Sequence, residues 1–382
     1  MPDKHAILSA SSSDRWTHCT PSALINARLP DVQTTYSKEG TCAHSLCEHL
    51  LKKALGYPTR DPTEDLEYYD TEMQECAEKY RDFCMDSLVE DGPDAKAYVE
   101  QHLDYSRWVK DGFGTGDCVV VSDKVLHIID FKYGRGVEVP ASGEMAEDGS
   151  QYGNTQLMCY ALGALDTFEC LYSFDTVKLS IFQPRLGHYD TFTMSKAKLL
   201  EWAETVLRPK AELACQGAGD FEAGDWCRFC KISGTCKTRA DVQLAIARAE
   251  FREASVMSPS ELAELLPKLD DLITWANDVK AAALQEATEG TEIPGFKLVE
   301  GRSVRTYRDK VQAAEAVKRA GYDPYDRQIL GIGKMQKLLG AEKFDEILGP
   351  YIVKPQGKPT LVPESDKRPE WNSAEQDFRD AG

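Results

Sequence analysis

The stretch "GTGDCVVVSDKVLHIIDFKYGRG", residues 114–136, restricts the fold more than any other part of the chain. Two apolar, β-branched runs, 118–121 and 125–129, stand either side of Ser122, Asp123 and Lys124, of which the first two are good turn residues. Such a segment needs a sheet to bury it, with the two runs as adjacent strands of a hairpin. Charged groups sit where the strands end. Asp117 precedes the first run, and Asp130 and Lys132 close the second.

Neighbouring segments supply the rest of a mixed α/β fold. "KAYVEQHLDY" (96–105) predicts a strand ahead of the hairpin, giving three antiparallel strands after two helices at about 40–55 and 71–90. A Gly-rich polar loop over 134–153 leads to a helix at 154–166, strands near 177–184 and 188–193, and a helix at 195–214. That order predicts a central mixed sheet flanked by helices. Residues 1–37 are rich in Ser, Thr and Pro, with one short helical stretch. Residues 241–288 predict long, charged, Ala- and Leu-rich helix, which "TEGTEIPGFKLVEGRSVRTYRD" breaks before a short strand-like run. The expected layout is a domain over 1–240, a boundary near 240–255, a helical C-terminal extension over 241–353 with a short β segment, and a Pro-rich polar tail over 354–382. No repeat of solenoid period is present.

Composition narrows the function. With 382 residues, 42% of them hydrophobic, the chain has the make-up of a globular protein of about two domains. No apolar stretch approaches the roughly 20 residues of a spanning helix, and the first residues lack the basic-then-apolar pattern of a secretion signal, so a cytoplasmic location is expected. A net charge of −18 argues against broad adhesion to nucleic acid, which needs clustered Lys and Arg, but leaves room for a local basic groove. Twelve cysteines in such a chain point to reduced thiols and a metal or cluster site rather than a disulfide framework.

Two carboxylates meeting at adjacent strand positions can converge on a divalent cation, which favours hard oxygen ligands. Lys132, two residues beyond Asp130, points to the same sheet face. This is a hydrolytic arrangement: the metal would polarise a phosphodiester and activate water, while Lys132 orients the water or stabilises developing negative charge. Alone, the pattern also fits ordinary polar residues at strand ends. Two helical pairs add to it. His44 precedes Glu48, and Gln156 precedes Tyr160, each pair one turn apart on one face.

Together these residues reproduce an order of motifs: Gly40-Thr41-Cys42-Ala43-His44, Gly114-Thr115-Gly116-Asp117, Asp130-Phe131-Lys132 and Gln156-Leu157-Met158-Cys159-Tyr160. The sequence here resembles the RecB-like branch of the PD-(D/E)xK nuclease superfamily over about residues 5–240. The resemblance implies a restriction-endonuclease-like core in which His44, Asp117, Asp130 and the Phe131 carbonyl hold Mg2+ or Mn2+. By the same resemblance Lys132 is catalytic, Gln156 and Tyr160 support the site and the DNA phosphate, and Glu100 is an additional acidic residue of the site.

The cysteines carry a separate likeness. "DWCRFCKISGTC" places Cys227, Cys230 and Cys236 close together, with a fourth thiol available only upstream, at Cys19. AddB-type and CRISPR-associated RecB-like nucleases are similar in this split set, which in them holds a [4Fe-4S] cluster joining the ends of the domain. Four soft thiolates suit such a cluster or zinc, and the distant Cys19 favours the cluster. Unliganded thiols are the third reading, and the other eight cysteines are expected as small buried hydrophobes.

Beyond 240, "IPGFKLVEGRSVR" and "VKPQGKPTLVPESDKRP" are similar to an uncharacterised family encoded in phage and prophage replication regions. Arg302, Arg305 and Arg308 could meet DNA phosphates or form a solvated face. The expectation is thus a metal-dependent DNA nuclease of phage replication or recombination, an exonuclease acting from single-stranded ends. Its partners would be DNA and a phage recombination or single-strand-binding protein, with no membrane. The alternatives are a flap- or structure-specific endonuclease, a catalytically silent DNA-binding recombination module, and a redox sensor using the cysteines.

Overall fold

The expected hairpin lies in the middle of a five-stranded sheet. The computed structural model describes residues 6–31, 33–145, 149, 151–249, 259–299, 307–325 and 329–353. Strand β1 (Lys96–Asp104) pairs antiparallel with β2 (Phe113–Val121), and β2 pairs antiparallel with β3 (Val125–Phe131). The sheet order is β1-β2-β3-β6-β7, where β6 is Thr176–Gln183 and β7 is His188–Ser195. Strands β3 and β6 are parallel, which requires a crossover, and helix α5 (Thr155–Phe168) supplies it. A two-stranded sheet, β4 (Ser142–Met145) with β5 (Gln151–Gly153), occupies part of the segment expected to be loop.

Helices cover both faces, as the apolar periodicity requires. Helices α1 (Ser13–His18) and α2 (Ser22–Arg28) replace the single short helical stretch expected near the start. Helix α3 (Thr35–Ala54) begins earlier than its apolar pattern, because Thr34 and Ser37 form a reciprocal capping box. Helix α4 (Thr71–Glu90) starts at Asp70, whose side chain accepts from the Met73 amide at 2.8 Å. Helices α3 and α4 pack on one sheet face around Leu46, Tyr80, Val120 and Phe131. On the other face α5 packs with Leu103, Val119 and Ile128. Leu157, Leu162 and Leu165 of α5 are buried there, each stabilising the layer by about 1.5–3 kcal/mol.

The helix expected at 195–214 is interrupted: α6 (Lys196–Trp202) passes through a π-helical turn, Ala203–Leu207, into α7 (Arg208–Gln216), which carries Pro209 in its first turn. Helix α8 (Lys237–Ala249) and helix α9 (Pro259–Thr288) cover the expected long helix, with residues 250–258 outside the described residues.

The chain divides into two compact units, Met1–Leu298 and Val299–Gly382. The sequence boundary near 240–255 therefore falls inside the first unit. Its physical reason is Arg239 of α8, which is buried and ion-paired with Asp271 and Asp278 of α9. The second unit contains α10 (Lys310–Arg319), α11 (Ile332–Leu339) and α12 (Ala341–Leu348). The strand-like run expected after 291 shows no strand among the described residues, and its 300–306 portion, with Arg302 and Arg305, lies outside them, as does the tail from 354. Arg308 is exposed. No helix among the described residues is long and apolar enough to cross a membrane.

Candidate functional site

The site forms where the hairpin strands part. Register between β2 and β3 ends at Cys118 opposite Ile129, one residue before Asp117 and Asp130 would face each other. Beyond that point the Phe131 amide donates to Asp117 Oδ2 at 2.7 Å rather than to a strand carbonyl of β2. Asp117 is thereby turned toward α3, where its Oδ1 meets His44 Nδ1 at 3.2 Å.

Strand β1 breaks its pleat at the same level. Ala97 and Val99 face the α3–α4 layer, yet Leu103 faces the opposite, α5 layer, so alternation slips by one residue between them. Glu100 lies at the slip, with φ of 52°, a left-handed conformation costing about 1–3 kcal/mol for a non-glycine residue. The result is a group of three donors. His44, Glu100 and Asp117 bring a nitrogen and two carboxylate oxygens within 4.8 Å of one another, the only such group among the described residues.

A second set of contacts comes from α5. Asn154 caps this helix and accepts from the Gln156 amide at 3.0 Å, which fixes the first turn against the end of β3. Gln156 then bridges three groups: its Oε1 accepts from Lys132 Nζ at 2.9 Å, and its Nε2 donates to Asp130 Oδ1 at 3.0 Å and reaches Tyr160 Oη at 3.2 Å. Lys132 Nζ lies 3.0 Å from Asp130 Oδ2. Lys132 is therefore the charge partner of the buried Oδ2, and among the described residues no other group bonds that oxygen. The Glu100 and Asp117 carboxylates with the His44 nitrogen, beside the Asp130 carboxylate, suit a divalent cation such as Mg2+ or Mn2+.

The charges answer to this packing. Burial opposes charge on His44, but the Asp117 carboxylate, with Asp130 beyond it, pushes the imidazole up to about 9. Burial likewise resists charge on Asp117, yet His44 and the Phe131 amide hold it below the usual carboxylate range. Burial raises the Asp130 carboxyl, with Lys132 resisting and Asp117 assisting. Glu100 is pushed up to about 7 by burial and then by Asp117. Burial also raises the Tyr160 hydroxyl.

All six residues singled out for the chemistry, with His44 and Phe131, therefore meet in one place. The roles differ in detail from those the resemblance implies. Glu100 joins the three-donor group, whereas Asp130 is held by Lys132 and Gln156 just outside it. Phe131 engages Asp117 through its N–H. Asn154 was missed, although a cap residue ahead of a helix is its sequence signal.

The cysteines converge elsewhere in the first unit. Cys19, Cys227, Cys230 and Cys236 line one pocket together with Arg15 and Trp226. Asn26 of α2 donates to Cys230 Sγ at 3.3 Å and accepts from the Lys231 amide at 2.8 Å, and Lys231 Nζ bonds the Asn26 and Leu29 carbonyls at 3.0 and 2.7 Å. These bonds tie the chain's beginning to the 227–236 segment across some two hundred residues. Among the described residues no three of the sulfurs lie within 4.8 Å of one another.

Fold and donors define a mixed α/β unit, a central mixed sheet flanked by helices, carrying a candidate divalent-cation site. The chain belongs to DUF2800, a protein family of unknown function, whose model matches residues 5–369. Among solved structures, 67% of the chain is similar to 92% of a "Putative exonuclease" from Eubacterium rectale, at 9% identity and a TM-score of 0.32. A further 51% alignment covers 95% of the protein SSO0001, at 12% identity and a TM-score of 0.21. Likenesses this distant say nothing about reaction or substrate.

Proposed function

We propose that this protein is a metal-dependent DNA nuclease, an exonuclease that works from single-stranded ends in phage replication or recombination, with Mg2+ or Mn2+ at the hairpin site. The observation that carries the reading is the contiguous polar set at the parting strands: His44, Glu100 and Asp117 on one side, Asp130, Lys132, Gln156 and Tyr160 on the other. A protein that only binds DNA has no use for three acidic groups beside phosphate. A bound divalent cation supplies positive charge to the phosphate and lowers the pKa of water. Lys132 is held by Gln156 and Asp130 with its ammonium partly exposed, where it can orient an attacking water or offset charge developing on phosphate oxygens. Gln156 fixes both Lys132 and Asp130, so neither has to be reorganised during reaction. The partners of this reading are DNA and a recombination or single-strand-binding protein.

The cysteine pocket is assigned to a [4Fe-4S] cluster held by Cys19, Cys227, Cys230 and Cys236. Their shared pocket supports it.

Substrate mode is tested by incubating the anaerobically purified protein and Mn2+ with end-labelled linear single strands, circular single strands and flapped duplexes. Release of short products from linear strands, with circles intact, is expected. Cutting of circles, or cutting at the flap junction alone, would replace the exonuclease reading with an endonuclease.

A further inference from the structure

Two polar side chains, Arg15 of α1 and Asn26 of α2, stand against the thiols of the cysteine pocket. Asn26 is 4% exposed, and both ends of its amide are engaged. Its Oδ1 accepts from the Lys231 backbone amide at 2.8 Å, while its Nδ2 donates to the Ser22 carbonyl at 2.8 Å and to Cys230 Sγ at 3.3 Å. An amide oxygen only accepts, so the Lys231 N–H fixes Asn26 with its nitrogen toward the sulfur.

Arg15 is fixed from the same helix. Its Nη1 donates to the Ser22 carbonyl and to Ser22 Oγ, both at 3.0 Å, and Ser22 Oγ donates to the Cys19 carbonyl at 2.6 Å. Ser22 thus ties the guanidinium to the backbone of Cys19, and the half-buried charge acts on the Cys19 and Cys230 sulfurs. Glu222, the other charged residue of the pocket lining, is exposed.

A neutral thiol is a weak acceptor and offers a nearby cation little. Sulfur that carries negative charge has a use for both groups, because charge-assisted hydrogen bonds are roughly twice as strong as neutral ones. The pair therefore suits metal-bound thiolates, and it stabilises them more as their charge grows. Adding an electron to an iron–sulfur core increases that charge with no bond made or broken, so a donor and a cation at the sulfurs favour the reduced state. We propose that Asn26 and Arg15 raise the reduction potential of the cluster held by Cys19, Cys227, Cys230 and Cys236, so that it takes up one electron from a low-potential one-electron donor. The proposal rests on the cluster reading above and adds the two residues that bring the cluster within reach of reduction.

The test reads potential, not DNA cleavage. Full-length protein is purified anaerobically, its iron and zinc are counted, and it is titrated with dithionite and mediator dyes while visible absorbance and electron paramagnetic resonance are recorded. Asn26→Asp keeps an acceptor for the Lys231 amide and replaces the donor to Cys230 by an oxygen, whereas Arg15→Gln removes the charge and keeps a donor for Ser22. Each should lower the ratio of reduced to oxidised cluster at fixed poise at least tenfold, about 59 mV for a one-electron couple. Arg15→Lys, which retains the charge, should stay within threefold of wild type. An unchanged ratio in either iron-loaded variant, an equal loss in Arg15→Lys and Arg15→Gln, or a wild-type cluster that dithionite cannot reduce overturns the proposal. Where Asn26→Asp loads no iron, the two Arg15 variants decide alone. A wild type holding zinc or no metal would instead refute the cluster reading, and this proposal with it.

Discussion

Gly114→Ala links one methyl group to the whole polar set. Gly114 lies in β2 opposite Leu103, in ordinary strand conformation, so contact rather than backbone strain decides the cost. An added Cβ would meet Tyr160 Cε1 at 2.7 Å, with Cδ1 and Cζ at 3.6 Å. Carbon atoms rest about 3.5 Å apart, so the ring must move by about 0.8 Å. Tyr160 is buried in the α5 layer, and such overpacking costs about 1–3 kcal/mol. The same movement reaches Gln156 through Tyr160 Oη, and thence Lys132 and Asp130.

A misplacement near 1 Å can cost on the order of 100-fold in rate, so Mn2+-dependent DNA cleavage should fall roughly 10- to 100-fold. Mn2+ affinity should fall much less than the rate, because the three-donor group of His44, Glu100 and Asp117 has no bond to Tyr160 or Gln156 among the described contacts. Adding Tyr160→Leu should recover stability in urea denaturation but not the rate. Wild-type stability and rate in Gly114→Ala would refute the reasoning, and so would loss of Mn2+ affinity in step with the rate.

Other predictions rest on separate groups. Asp91, buried at the end of α4, accepts from Lys178 Nζ at 2.5 Å and pairs with His127 at 2.7 Å, so Asp91→Ala should cost about 3–5 kcal/mol in urea denaturation with an unchanged m-value. Burial opposes its charge, but His127 and Lys178 hold the Asp91 carboxyl below the usual range. The unfolded chain therefore takes up this proton first, and stability present above about pH 4 is lost as pH falls through the lower folded value, a loss that Asp91→Asn should lack. At neutral pH the metal-free His44, at about 9, and Glu100, at about 7, carry protons that a cation must displace. Mn2+ binding should therefore release protons and tighten by about tenfold per unit between pH 7 and 9; calorimetry showing equal heats in buffers of different ionisation enthalpy would contradict this. The proposed [4Fe-4S] cluster would give a brown chromophore, which Cys19→Ser and Cys230→Ser should each bleach, with lower thermal stability because a cluster shared by Cys19 and Cys230 would close a loop of some two hundred residues; equal colour and stability of Cys19→Ser and wild type would show that Cys19 is no ligand. Cys159→Ser, at a buried position away from the pocket, should leave the colour unchanged.

Much of the centre was legible because its cues are local. The two β-branched runs form β2 and β3, period two places Lys132 beside Asp130, and helical spacing places Gln156 beside Tyr160. Glu100 was harder to read. Strict alternation through Ala97, Val99 and Leu103 assigns these residues to one face, and only the left-handed residue reveals that the strand changes sides there. The extent of the first unit escaped for another reason. It depends on Arg239 meeting carboxylates 32 and 39 residues away, which no local pattern encodes. The interruption of the helix after β7 does have a local cue, Pro209 at the start of α7.

Metal-dependent cleavage at the hairpin site is tested by comparing wild type with Asp130→Ala on end-labelled single-stranded DNA, with Mn2+ and with chelator. Asp130 is buried, and its carboxylate sits between Lys132 and Gln156 beside the three-donor group. Wild type should hydrolyse the strand with Mn2+ and not with chelator, and Asp130→Ala should lose hydrolysis while its fold persists. Undiminished hydrolysis by folded Asp130→Ala, or no hydrolysis by folded, metal-supplied wild type, would contradict the assignment.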